Sequence, residues 1–122
     1  MKKLMLLILI GCSLIFIACH KTENSVSGVY VMHFKNEFSI ATDTIIITAY
    51  NLAASTFQVE RRDGYHRIRE GKILAKEFKQ EHWMATFDKE KQRLSESEFG
   101  KQIYLNITAG TLSFGGTYRK IK

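Results

Sequence analysis

The sequence predicts an all-β domain, an antiparallel meander of about eight short strands behind an N-terminal apolar helix. Three observations predict it. Apolar and polar residues alternate with a period of two through most of the chain after residue 25. β-Branched residues crowd the segment Asp43 to Tyr50. Asp63-Gly64, Ala109-Gly110 and Gly115-Gly116 punctuate the alternating runs as turns do. The 122 residues are 45% hydrophobic and 25% charged, without proline, which excludes a collagen, a long disordered tail and a multi-pass membrane protein. Strands joined in sequence order must hide their edges, and closing into a small lipocalin-like barrel does that. A partly open barrel or two-layer sheet is the alternative. An interior of this size holds packed side chains or one small ligand.

The first element is an address. Met1-Lys2-Lys3 is cationic, and Leu4 to Ala18 is an apolar run broken only by Gly11, Cys12 and Ser13. A charged start and a short apolar core make an export signal. The run is shorter than the roughly 20 residues that cross a bilayer. Its end, Phe16-Ile17-Ala18-Cys19, puts a small residue before a cysteine, and the polar stretch His20 to Ser25 follows. Here the sequence resembles a bacterial lipoprotein signal. The resemblance implies a signal peptide over 1–18, cleavage before Cys19, fatty acylation (palmitate or a similar chain) of that residue and a tether over 19–25. Phe16 departs from the aliphatic residue usual three places before the cysteine. Leu9-Ile10-Gly11-Cys12 is a rival box, but its use would leave Ser13 to Ala18 as an apolar tether. A plain secretory signal or an uncleaved anchor is the third possibility. Two or more acyl chains hold a domain stably at a membrane. Both cysteines lie in the first 19 residues, so none remains beyond Cys19 to mispair in an oxidising compartment.

The folded domain is expected over 26–122. Gly28 to Phe34 places Tyr30, Met32 and Phe34 on one face. Asp43 to Tyr50 is the next strand, and its triplet Ile45-Ile46-Ile47 suggests cover on both sides. Ser55 to Glu70 reads as a hairpin about Asp63-Gly64, which would pair Arg62 with Tyr65 and Glu60 with Arg67. That register buries Phe57, Val59 and Ile68 and exposes Glu60, Arg62, Tyr65, Arg67 and Arg69. Gly71 to Glu81 has Ile73, Leu74 and Phe78 at helical spacing and is either a helical turn or an irregular strand. Trp83, Ala85 and Phe87 alternate with His82, Met84 and Thr86, and Arg93 to Phe99 follows as another strand. Ala109-Gly110 would pair Thr108 with Thr111 and Leu105 with Phe114, before Gly115-Gly116 reverses the chain into Thr117 to Ile121.

Residues fit for chemistry are few. His20, His33, His66 and His82 stand at no metal-ligand spacing, so no metal or other cofactor is expected. No serine sits in a G-x-S-x-G turn, and Glu96 with Glu98 reads more simply as an exposed acidic pair than as a glycosidase dyad. Asn106-Ile107-Thr108 matches a glycosylation acceptor by coincidence. The expectation is therefore no catalytic residue and no enzyme. The distinctive surface is basic. Arg61, Arg62, Arg67, Arg69, Lys72, Lys76 and Lys79 outnumber Asp63, Glu70 and Glu77. Arg62, Arg67, Arg69 and Tyr65 are the candidates for meeting an anionic lipid, a glycan or another envelope protein. Tyr65 alone is too thin an aromatic platform for nucleic acid. The bland alternative is a solvated face. Tyr30, Phe57, Trp83, Phe87 and Phe114 could line a ligand cavity, though such rings more often fill a core.

Glu37 to Ile45, Arg62 to Arg69 and Tyr118 to Ile121 look like segments of small uncharacterised bacterial lipoproteins, some of them encoded among conjugative-transposon genes. That resemblance supplies no catalytic residue. It implies a lipid-anchored protein of the cell envelope, at the outer membrane, acting as a non-enzymatic binding or assembly module accessory to conjugative transfer. A lipocalin-like carrier of an apolar ligand and a membrane-held inhibitor of a cell-wall hydrolase are the alternatives.

Overall fold

A computed structural model describes residues 25–122; the apolar segment 1–18 and Cys19 lie outside the described residues. The period-two alternation becomes nine strands: β1 (Gly28–Lys35), β2 (Ser39–Asn51), β3 (Thr56–Arg69), β4 (Lys72–Ile73), β5 (Glu77–Asp88), β6 (Arg93–Ser95), β7 (Gln102–Asn106), β8 (Thr111–Ser113) and β9 (Thr117–Lys120). Every pairing is antiparallel. Eight strands follow one another around a closed barrel of lipocalin-like shape, sealed where β9 meets β1 at Tyr30–Lys120 and Val31–Arg119. β4 hangs on the end of β3 as an extra strand. Closure covers the strand edges over the barrel body, while β5 before Thr86 and β1 beyond Val31 keep one free edge each. Among the described residues no helix is long and apolar enough to cross a membrane.

The inward side chains make one core. Ile45 and Ile47 of β2, Phe57 and Val59 of β3, Trp83, Ala85 and Phe87 of β5, and Leu94, Ile103, Leu105, Leu112 and Tyr118 from the shorter strands are all buried. Phe57 meets Phe87 edge-on at 6.3 Å, and Trp83 meets Phe114 at 5.8 Å. Val26 plugs the end where β1 begins, and its carbonyl accepts the Tyr30 hydroxyl at 2.9 Å. Burial pushes the Tyr30 hydroxyl's pKa up to about 12.

Several local expectations differ from the structure. Asp63-Gly64 makes no turn. Both residues lie within the 14-residue β3, paired with Asp43 and Thr42 on one side and Lys79 and Phe78 on the other. A hairpin at Asp63-Gly64 would satisfy one edge of each half-strand, whereas the straight strand satisfies both edges of all of it. The turn falls instead at Glu70-Gly71, with φ of 50° and 75°, closing Arg69 onto Lys72. The physics of the two-residue turn was right and the dipeptide wrong. Ile68 is consequently only half-buried. The ambiguous Gly71 to Glu81 stretch becomes β4 and the start of β5, and Ile73, Leu74 and Phe78 are exposed. In the last hairpin Leu105 pairs with Leu112 and Asn106 with Thr111. That register is two residues from the one expected, so every side chain keeps its face. β6 ends at Ser95, and Glu96 and Glu98 lie in the following loop, Glu96 buried and Glu98 exposed. Phe34, on the expected inner face of β1, is exposed. Ile46 is half-covered between the buried Ile45 and Ile47.

Candidate functional site

Strand length divides the barrel. β2, β3 and β5 have 13, 14 and 12 residues, while β6, β7, β8 and β9 have 3, 5, 3 and 4. β5 pairs with β6 only at Thr86 to Asp88, and β1 pairs with β9 only at Tyr30 and Val31. Beyond those rungs β1, β2, β3 and β5 continue together as a sheet that stands above the barrel mouth, with β4 on its rim. This lobe carries the basic cluster and much of the exposed apolar surface, including Phe34, Phe38, Ile73 and Phe78.

Its two faces differ, and alternation decides which residue lies where. One cross-strand row is Val31, Thr44, Arg62 and Gln80, and the parallel row toward the tip is His33, Thr42, Gly64 and Phe78. These point away from the barrel axis. Thr42, Thr44, Arg62, Gly64, Phe78 and Gln80, with Lys76 and Lys79, line a concavity of about 360 Å³. Arg62 Nε donates to Glu60 Oε1 at 2.7 Å, and Gln80 Nε2 donates to the same oxygen at 2.6 Å. The Arg62 hydrogen bond holds the Glu60 carboxyl below the usual carboxylate range, against a smaller opposing effect of burial. Lys76 Nζ stands 5.1 Å from the centre of the Phe78 ring. His33 Nδ1 lies 3.2 Å from the Thr42 hydroxyl.

Tyr65, Arg67 and Arg69 occupy the other face of β3. The four residues grouped by the expected hairpin are therefore not brought together, because in an uninterrupted strand 62 and 65 have opposite parity. The expected Glu60–Arg67 pair is absent for the same reason, and Arg67 bridges to Glu77 at 2.9 Å. Both Arg67 and Arg69 are exposed.

Polar side chains also gather where the lobe joins the barrel. Arg61 Nε donates to the two carboxylate oxygens of Asp43 at 3.2 and 3.0 Å, and its Nη2 donates to Oδ2 at 2.6 Å. The Tyr118 hydroxyl donates to the same Oδ2 at 2.6 Å. Burial first, and then this bond, push the Tyr118 pKa well above the usual tyrosine range, and Asp43 raises that of Arg61. Arg61 also stands 5.6 Å from the centre of the Phe114 ring. Nearby, Lys101 bridges to Glu81 at 3.2 Å and lies 4.3 Å from the Trp83 ring centre. Burial raises the Asp63 pKa, and its Oδ1 has no hydrogen-bond partner. Chemically this is a charge-neutralised collar. The Asp43 oxygens are already engaged by three N–H contacts and one O–H.

Of the aromatic candidates, Tyr30, Phe57, Trp83 and Phe87 are buried in the core and Phe114 packs against it. A second concavity of about 350 Å³ lies between the edge of β5 and the loop after β6, lined by His82, Trp83, Met84, Glu96 to Phe99 and Lys101. Glu96 there accepts the Phe99 N–H. His33, His66 and His82 are far from forming a set. Among the described residues no three His, Cys, Asp or Glu side chains come together as metal ligands would.

Sequence reasoning missed the Asp43–Arg61–Tyr118 cluster and the role of Gly64. One signal for the first was available. Asp43 shares the parity of Ile45 and Ile47, and Arg61 shares that of Phe57 and Val59, so opposite charges occupy inward positions of neighbouring strands. Compared with protein-family models, curated proteins and solved structures, the chain matches none of them.

Proposed function

We propose that this chain is a non-enzymatic binding module of the cell envelope, lipid-anchored through Cys19 at the outer membrane, whose lobe engages an anionic partner. The observation that carries the reading is the lobe itself. It projects beyond the barrel, and Arg62, Arg69, Lys72, Lys76 and Lys79 are exposed on it beside exposed Phe38, Ile73 and Phe78. The position of Val26 supports the same arrangement. The chain enters the barrel at the start of β1, and β1 runs about 24 Å from there to its far end in the lobe. An anchor before residue 25 then directs the lobe away from the bilayer that holds it. The engaged collar and the ring-on-ring packing of the core favour a binding surface over a catalytic centre or an internal carrier site.

Two variants of the full-length protein test this. Cys19→Ala should abolish incorporation of labelled palmitate and release the protein from the membrane fraction. Reversing Arg67, Arg69 and Lys72 to Glu should make the protein elute from a sulfated-dextran resin at lower salt, because exposed charges act through screened attraction. Normal labelling of Cys19→Ala would overturn the anchor. Unchanged elution of the triple variant would overturn the cationic surface.

A further inference from the structure

The outer concavity of the lobe has features that diffuse charge does not require. Gly64 lies mid-strand between Thr42 and Phe78, where a glycine weakens a sheet. Its φ is not positive, so the backbone does not call for it. What it provides is space. A Cβ at this position would come within 3.0 Å of Lys76 Cε and 3.6 Å of Phe78 Cε1. Gly64 lines the 360 Å³ hollow, a volume in the range of small-molecule sites, and its lack of a side chain lets Lys76 and Phe78 close over it.

The walls define the occupant. Arg62, Lys76 and Lys79 line the hollow and no carboxylate does, so an anion is favoured. Glu60, just outside, fixes Arg62 and Gln80 by accepting from both, and Arg62 uses Nε for this, leaving its terminal nitrogens for a ligand. A planar guanidinium matches a carboxylate in two-point contact. Thr42, Thr44 and Gln80 add uncharged donors and acceptors, which suit a ring bearing several hydroxyls better than a bare phosphate. Phe78, 75% exposed, offers an apolar surface for the C–H face of such a ring. We propose that this concavity binds a uronic-acid residue of an acidic polysaccharide, with its carboxylate on Arg62 and Lys76 and its hydroxyls on the threonines and Gln80. The proposal rests on the reading of the lobe as an anion-binding surface and gives that surface a shaped site.

The test is calorimetric titration of the detergent-solubilised full chain with trigalacturonate. Its methyl ester, which has the same backbone without charge, and phosphatidylglycerol vesicles serve as comparison probes. The acid should bind about tenfold or more tightly than the ester. Gly64→Val, which pushes against Lys76 and Phe78 and keeps every charge, should weaken binding by about tenfold or more. Arg62→Gln, at an exposed position where folding is not at stake, should do the same, whereas Arg69→Gln on the opposite face should bind within about twofold of the wild type. Wild-type affinity in folded Gly64→Val, equal loss in Arg69→Gln, no binding of trigalacturonate, or its displacement by the vesicles would each overturn the site. If the Arg67, Arg69 and Lys72 reversal still lowers retention on sulfated dextran in that event, the site falls and the wider reading of the lobe stands.

Discussion

The barrel body and the lobe are built from the same strands yet obey different rules. In the body, β2, β3 and β5 turn Ile45, Ile47, Phe57, Val59, Trp83 and Phe87 into a closed interior, and β6 to β9 cover it. A few residues further along the same strands that cover stops. There β2 and β3 show Thr42, Gly64 and Arg62 to one side and Tyr65 and Arg67 to the other. One side of the strand is therefore committed to stability for part of its length and released from it for the rest. The difference teaches that strand length, and not composition alone, frees residues for recognition.

The largest expected effect breaks the body and spares the lobe. Phe57→Ala and Phe78→Ala remove the same atoms, from a ring that is 0% exposed and from one that is 75% exposed. The buried deletion loses contacts on all sides and should cost about 3–5 kcal/mol. The exposed one should cost within about 0.5 kcal/mol. Urea unfolding of the two variants gives the comparison directly. Similar losses would mean that the lobe packs into the cooperative unit as tightly as the core does.

Next in size is the collar that joins the two regions. Asp43→Ala strips Arg61 of its carboxylate and Tyr118 of its acceptor. Removing one partner of such a pair leaves the other groups desolvated and unpaired, a cost of about 3 kcal/mol. Arg61 keeps some solvent contact, which limits the loss. Asp43→Asn should cost less, because the amide oxygen still accepts. If Asp43→Ala melts like the wild type, the collar contributes no stability.

The same division explains what could be read in the sequence. Alternation made the antiparallel all-β meander legible, because Trp83, Ala85 and Phe87 bury alike whichever neighbour they pair with, whereas closure over an open sheet was decided only by the β1–β9 pairing. Pairing itself was less legible. Asp63-Gly64 and Glu70-Gly71 both suit a tight turn, and only the ladder to β2 selects the second. Moving the turn changed which side chains share a face, so Arg62 separated from Tyr65, Arg67 and Arg69. Clustering of the cations was visible because it is compositional. Their division between two faces was not, because parity depends on the partner strands. The hollow at Gly64 was hidden for the same reason, since a glycine after aspartate reads as a turn until the strand is known to run through it.

The smallest expected effect lies where the lobe begins. Asp63 points inward at a level where the barrel no longer closes, next to Asp43 in the cross-strand row and with one oxygen unpartnered. Burial, and then the Asp43 charge, raise its pKa above the ordinary 3.8, while Arg61 and Lys79 oppose the rise. The folded protein therefore holds this proton more tightly than the unfolded chain does. The stability that Asp63 adds when protonated is present at low pH and lost as pH rises through the folded value, leaving a charged group that costs stability at neutral pH. Asp63→Asn should accordingly raise the midpoint of unfolding at pH 7, by a gain of about 0.5 kcal/mol or less because the side chain keeps partial solvent access. The gain should vanish below the ordinary aspartate range, where both side chains are neutral. Thermal melts of the two proteins from pH 3 to pH 7 would trace that convergence. A variant less stable than wild type at pH 7 would show that Asp63 is compensated by its cationic neighbours, and that the body's rule of neutralised charge extends one rung further into the lobe.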